Sequence, residues 1–268
     1  MRTPIPASSA RERLSAVVRS AGEFISVDSA AAALGVSRQN AARTLARWQH
    51  QGWIARVRRG LYTLRALESS IGDTAVKDPW TLVPALFGRA YVGGASAAHH
   101  WDLTEQLFRP VFVYTTQDVR HRETQVHGAT FVGKHIGEER YFGTKTVWRD
   151  STRVLVSDPH RTIVDLLDDP SMGGGITHVA DCLHHYLRRP DAAADTLLEY
   201  AERAGNGAVF KRLGFLAERA GAEEKLIAGC AARLTQGNAK LDPALPCPRL
   251  VRRWRLWVPE RWKRKDSA

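Results

Sequence analysis

Cysteine is scarce in this chain: Cys182, Cys230 and Cys247 are the only three in 268 residues, and no two form a CxxC pair. An odd, scattered set provides neither a disulfide framework nor a thiolate zinc site, which points to a cytoplasmic setting. Long apolar runs are missing too. No segment reaches bilayer length, and the opening MRTPIPASSARERL lacks the apolar core of a secretory signal, so no membrane partner is expected. Ten histidines are present, yet none are joined by HxxxH or HExxH spacing, and no glycine-rich phosphate loop occurs. The sequence therefore predicts no metal and no cofactor. Hydrophobic residues at 44% exclude wholesale disorder, and the length suffices for two domains.

Acidic residues are short at both ends. Residues 1–66 hold eleven arginines against Glu12, Glu23 and Asp28, a balance of +8. Residues 249–265 hold eight lysines or arginines against Glu260, a balance of +7. The middle, 67–248, has 20 basic and 23 acidic residues, a balance of −3. Neutralising phosphate supplies most non-specific DNA affinity, so basic ends on a near-neutral body suit a DNA-binding head joined to something else. A GC-rich genome would leave a similar composition.

The amino-terminal pattern is specific. Residues 8–21 place Leu14, Val17 and Val18 on one helical face, with Gly22 as a stop. A short β-prone stretch, Phe24 to Val27, precedes Asp28 as an N-cap and a small helix at 29–34. Gly35 supplies a turn and Ser37 caps the next helix. There Ala41, Leu45 and Trp48 recur at i, i+4, i+7 and face inward. A Gly52-Trp53 break leads into a basic hairpin closing on Gly60-Leu61-Tyr62. These are the parts of a winged helix-turn-helix. Gln39, Asn40 and Arg43 are assigned to base edges, and Arg38 and Arg47 to bases or phosphate. Arg56, Arg58 and Arg59 are assigned to phosphate or minor-groove contact from the wing. A solvated helix face, or a winged helix that binds protein, are the competing readings.

Residues 67–78 are polar and read as a linker. Beyond Pro79 the order is a helical or mixed run at 80–86, a strand at Ala90–Val92, a small-residue turn at Gly93–His100, and strands at Val111–Thr116 and Thr130–Val132. A hairpin joins Tyr141–Trp148 to Val154–Ser157. Asp158-Pro159 starts a helix, and four more follow near 176–188, 192–203, 208–220 and 223–234. Strands before helices imply an α+β domain over 79–268, after a winged helix-turn-helix over 1–66.

Two catalytic readings fail on residue type. Gly93-Gly94-Ala95-Ser96 faintly resembles a nucleotidyltransferase turn, but VFVYTT after it carries no paired carboxylates, and Asp118 stands alone. Asp165, Asp168 and Asp169 suggest a nuclease, yet no acid-plus-lysine pair follows them. They are read as helix-end solvation. His99-His100 beside Trp101 is read as packing plus a backbone hydrogen bond. No catalysis is expected. In the tail, Leu250, Trp254 and Trp257 are expected to cover the domain while arginines extend outward. A short β-strand there, or Trp and Arg stacking on bases, are the other readings.

Several motifs in order, ASAAHHWDLTEQLF (95–108), VFVYTT, YFGTKTVW (141–148), VSDPHRTIVDLLDDP (156–170) and NGAVFKRLGFLAERAG (206–221), resemble the AbiEi antitoxin family. The resemblance implies a winged helix followed by an antitoxin domain, in the antitoxin of a type IV toxin–antitoxin pair. It implies a transcriptional autorepressor binding repeats in its own promoter, with double-stranded DNA as partner. The opposed toxin is of the nucleotidyltransferase type (AbiEii), without requiring a stable complex. The family supplies no catalytic residues. It implies secondary nucleic-acid contact from basic surface of the second domain, here Arg252, Arg253, Arg255 and Lys263. A metal-dependent nuclease or nucleotidyltransferase targeted by a winged helix, and an orphan regulator, are the alternatives.

Overall fold

Apolar residues at helical spacing, Val17, Ala41 and Leu45 among them, gather around Trp48. The structure, a computed structural model, describes residues 10–21, 24–58, 60–64, 78–126 and 128–262, without the Arg58 side chain. Helix α1 (Ala10–Ala21) leads to strand β1 (Phe24–Ser26) and helices α2 (Val27–Leu34) and α3 (Arg38–His50). The hairpin of β2 (Ile54–Arg58) and β3 (Leu61–Leu64) follows. The three strands run antiparallel in the order β1-β3-β2. Val17, Ile25, Ala30, Ala41, Leu45, Trp48, Ile54 and Tyr62 form the core. Burying an aromatic side chain removes roughly 150–250 Å² from water. At about 25 cal/mol per Å², Trp48 alone contributes roughly 4–6 kcal/mol before entropy is subtracted.

The second unit is a mixed sheet followed by helices, as the order of patterns predicts. A 3-10 turn at Pro79–Leu82 runs into α4 (Val83–Phe87), then β4 (Ala90–Val92) and α5 (Gly94–His100). Strands β5 (Val111–Thr115), β6 (Glu123–Val126), β7 (Ala129–His135), β8 (Thr144–Arg149) and β9 (Thr152–Ser157) complete the sheet. Its order is β6-β7-β5-β4-β9-β8, with β4/β9 and β5/β7 parallel and the other neighbours antiparallel. All of β5 is buried, which is why it reads as a continuous apolar run rather than an alternating one. Helices α6 (Pro159–Asp168), α7 (Ile176–Leu187), α8 (Ala194–Arg203), α9 (Gly207–Ala220) and α10 (Glu224–Ala232) share one core, which includes Leu166, Leu183, Leu213 and Trp254.

Gly93 and Gly94 form a packing turn at the start of α5. A Cβ at Gly93 would lie 2.6 Å from the Tyr114 ring, and one at Gly94 (φ +55°) would lie 2.4 Å from the Met172 carbonyl. His99 is exposed, while His100 packs edge-on against Trp80 and Trp101. The backbone bond comes instead from Trp101 Nε1, which donates to the Ser157 carbonyl at 2.6 Å.

Two findings depart from the expectations, and a third lies outside them. First, Asp165, Asp168 and Asp169 are not solvated helix-end residues. Asp165 is 1% exposed and takes hydrogen bonds from the Tyr91 hydroxyl. Arg161 Nε lies 2.9 Å from its Oδ1, without hydrogen-bond alignment. Asp168 faces Lys134, Arg140 and Asn206, and Asp169 faces Lys134 and Arg122. Second, Leu250 and Trp257 stay 37% and 36% exposed, and Trp254 alone of the three is buried. The tail folds as β11 (Arg249–Val251) and β12 (Leu256–Val258), with β10 (Ala239–Lys240) on the other side of β12. Third, the small sheet of the first module is not solvated on its outer side. Phe24 and Leu61 join Leu82, Val83, Leu86 and Val92 in one apolar cluster, with Val57 packed against it. Of the polar stretch read as a linker, only Asp78 lies among the described residues. It accepts from the Trp80 amide at 3.0 Å and caps the 3-10 turn.

Candidate nucleic-acid interface

Helix α2 starts one residue before the anticipated cap. Ser26 is the N-cap, its hydroxyl accepting from the Ser29 amide at 2.9 Å while Ser29 Oγ accepts from the Ser26 amide at 3.0 Å. This reciprocal capping box satisfies two orphan amides. Asp28 therefore sits inside the first turn of α2, where a carboxylate complements the helix dipole. Gly35 adopts φ 61°, ψ 34° and closes α2 in the left-handed conformation that glycine takes without Cβ strain. Ser37 then caps α3 by accepting from the Asn40 amide at 3.3 Å.

Helix α3 has two unlike faces. Ala41 and Leu45 are fully buried and Trp48 nearly so, which fixes the helix on its module. Arg38, Gln39, Asn40, Arg43 and Arg47 are all exposed. Thirteen residues at 1.5 Å rise make a rod about 20 Å long, of a width that a B-DNA major groove accepts. The first turn of α3 holds no acid, only Arg38. A cation at the positive end of a helix dipole is locally unfavourable. Such an end is well matched to an approaching anion.

The remaining sequence-predicted residues divide. Arg56 is exposed on β2 of the wing. The Arg58 side chain, Arg59 and Lys263 lie outside the described residues. In the tail, Arg252 is exposed, Arg253 is paired with Glu218, and Arg255 Nη1 donates to the Thr235 carbonyl at 3.1 Å. Those residues lie in the 3-10 turn that joins β11 to β12 in the carboxy-terminal sheet, not on the small sheet of the first module. The residue that sequence reasoning missed is Asp28 in its contact role: its Oδ1 lies 3.3 Å from Arg38 Nη1. The available signal was that it is the only acid from Phe24 to Ala66.

The buried carboxylates show what the second unit can do chemically. Burial, partly offset by Arg161, pushes the Asp165 carboxyl up to about 6. Burial acts in the same direction on Asp168, but Lys134 and Arg140 outweigh it and hold the group at about 2. Each carboxylate has a protein cation as its counterion. Among the described residues, no group of three or more His, Cys, Asp or Glu is arranged to hold a metal ion. No helix there is long and apolar enough to cross a membrane.

Residues 12–65 match the model of a family described as "Transcriptional regulator, AbiEi antitoxin". No curated protein matches the chain. Among solved structures, the chain is similar to one titled "Crystal structure of RV2827C protein from Mycobacterium tuberculosis". The TM-score is 0.59 at 14% identity, covering 96% of this chain and 92% of that one. That likeness is one of fold, and it extends through both units. The exposed face of α3 and the wing hairpin fall inside the matched segment, so the amino-terminal module of this chain matches the family of AbiEi antitoxin transcriptional regulators.

Proposed function

We propose that this protein is a cytoplasmic, duplex-DNA-binding autorepressor. In this reading it is the antitoxin of a type IV toxin–antitoxin operon and opposes a nucleotidyltransferase-type toxin without needing a stable complex. The observation that carries the reading is the exposed stripe of Arg38, Gln39, Asn40, Arg43 and Arg47 on a capped, well-anchored α3, inside the segment that matches the AbiEi regulators. Gln39, Asn40 and Arg43 read base edges, where Gln or Asn pairs with adenine and Arg with guanine. Arg38 and Arg47 hold base or phosphate, and Arg56, Arg58 and Arg59 hold the backbone from the wing. Arg252, Arg253, Arg255 and Lys263 form a secondary contact, with Arg252 best placed because Arg253 is already paired. The protein performs no catalysis of its own.

Charge reversal at Arg43 and Arg47 tests this. The double variant Arg43→Glu/Arg47→Glu should lose gel-shift binding to the DNA upstream of its own gene. Wild-type affinity should fall steeply with salt, by about 0.9 log units per log unit of salt for each phosphate contacted. Full affinity in the double variant, or a flat salt response, would remove the basis for the assignment. Incubation with Mg²⁺ or Mn²⁺ and labelled DNA, RNA or nucleoside triphosphate should give no turnover. Turnover abolished by Asp165→Ala would overturn the non-enzymatic reading.

A further inference from the structure

An acid on a DNA-reading surface needs a reason. Asp28 is the only carboxylate from Phe24 to Ala66, and it lies within 3.3 Å of the first arginine of α3. Its side chain and that of Arg38 are 68% and 76% exposed, so the pair adds little to folding stability. The capping of α2 is already done by Ser26 and Ser29. For a surface selected only to grip phosphate, this residue subtracts affinity from every sequence alike.

We propose that Asp28 is a specificity-determining residue that acts through Arg38. The inference rests on the reading of α3 as the DNA-facing helix. The carboxylate pairs with Nη1 of the guanidinium at 3.3 Å and leaves the remaining donors to fork onto the O6 and N7 of a guanine. Two effects follow from this geometry. Pairing biases the rotamers of Arg38 before DNA arrives, worth at most about fivefold in affinity for the site that uses it. The negative charge also penalises poses in which Arg38 slides onto phosphate, and a penalty on the wrong partner is as much a source of specificity as a gain on the right one. A guanidinium forked correctly on guanine discriminates roughly five- to hundredfold against other bases.

The test uses the full chain and a library of randomised duplexes. Selection is run with wild type, Asp28→Asn, Asp28→Glu, Arg38→Ala and the double variant Asp28→Asn/Arg38→Ala. The best selected duplex and a scrambled one are then titrated at several salt concentrations. Wild type should select a motif, and Arg38→Ala should lose one guanine position from it. Asp28→Asn should lose preference at that same position while keeping the rest. It should bind the scrambled duplex roughly three- to tenfold more tightly, with a salt slope steeper by about 0.9, one added phosphate contact. Asp28→Glu should restore the preference, and in the Arg38→Ala background Asp28→Asn should change no base preference. If Asp28→Asn keeps the complete motif and the wild-type ratio of selected to scrambled affinity, the inference is overturned while the reading of α3 stands. A lowered melting temperature with an unchanged motif, the mark of a helix-dipole role alone, overturns it equally. If wild type selects no motif, or Arg38→Ala leaves the motif complete, the inference falls. The no-motif result also takes down base reading by α3.

Discussion

Replacing Asp168 by asparagine removes one negative charge from the junction of α6 and β7 while preserving side-chain size. The carboxylate is 4% exposed, with Lys134 Nζ at 2.6 Å, Arg140 Nη2 at 3.0 Å and Asn206 Nδ2 at 2.8 Å. Burial favours the neutral acid, but the two cations and the amide outweigh it and lower the group from 3.8 to about 2. That difference, at about 1.36 kcal/mol per unit, is worth roughly 2 kcal/mol. For a depressed acid the stabilisation is complete above the unfolded value near 3.8 and is lost as pH falls through about 2. Asp168→Asn should therefore be about 2 kcal/mol less stable at pH 7, and at roughly 2–4 °C per kcal/mol its Tm should fall by about 4–8 °C. Below pH 4 the gap between variant and wild type should close. Thermal melts of both proteins from pH 7 down to pH 2.5 measure this. Equal Tm values at pH 7 would refute the reasoning that the cations outweigh burial, and a gap independent of pH would show that packing rather than charge is responsible.

Two further outcomes follow from close approaches. A Cβ on Gly214 would lie 1.9 Å from the Trp254 ring, so Gly214→Ala should expel that ring. We expect a loss of about 1–3 kcal/mol and a red-shifted tryptophan emission, and an unshifted spectrum would contradict it. Gly35 has φ +61° and nothing within 4 Å of its would-be Cβ. Gly35→Ala should therefore cost only the left-handed strain, about 1–2 kcal/mol, readable as a lower denaturant midpoint. A neutral result would mean that the turn between α2 and α3 relaxes.

The first module was legible because its signals are local. The Ser37 cap, the 41/45/48 spacing and the Gly35 turn each act within one helical turn, and α3 lies where they place it. The sheet was legible where burial imposes a pattern, as in β5, and illegible in β6. The sequence ETQV there is exposed at its first three positions and has no apolar face to betray it. The ionic contacts of Asp168 were beyond local reasoning, since Lys134 is 34 residues away and Asn206 is 38. Asp165 was different: Arg161 stands four residues before it, and an i,i+4 pair beside Ile163, Val164, Leu166 and Leu167 was a usable hint of burial. Phe24 and Leu61 belong to the cluster of the larger sheet, not to the core of their own module. Alternation along a strand shows that a second face is apolar without naming what covers it.

That covered face has a mechanical consequence. With Phe24, Leu61 and Val57 seated on the same apolar bed as α4 and β4, pulling the first module away would expose that bed to water.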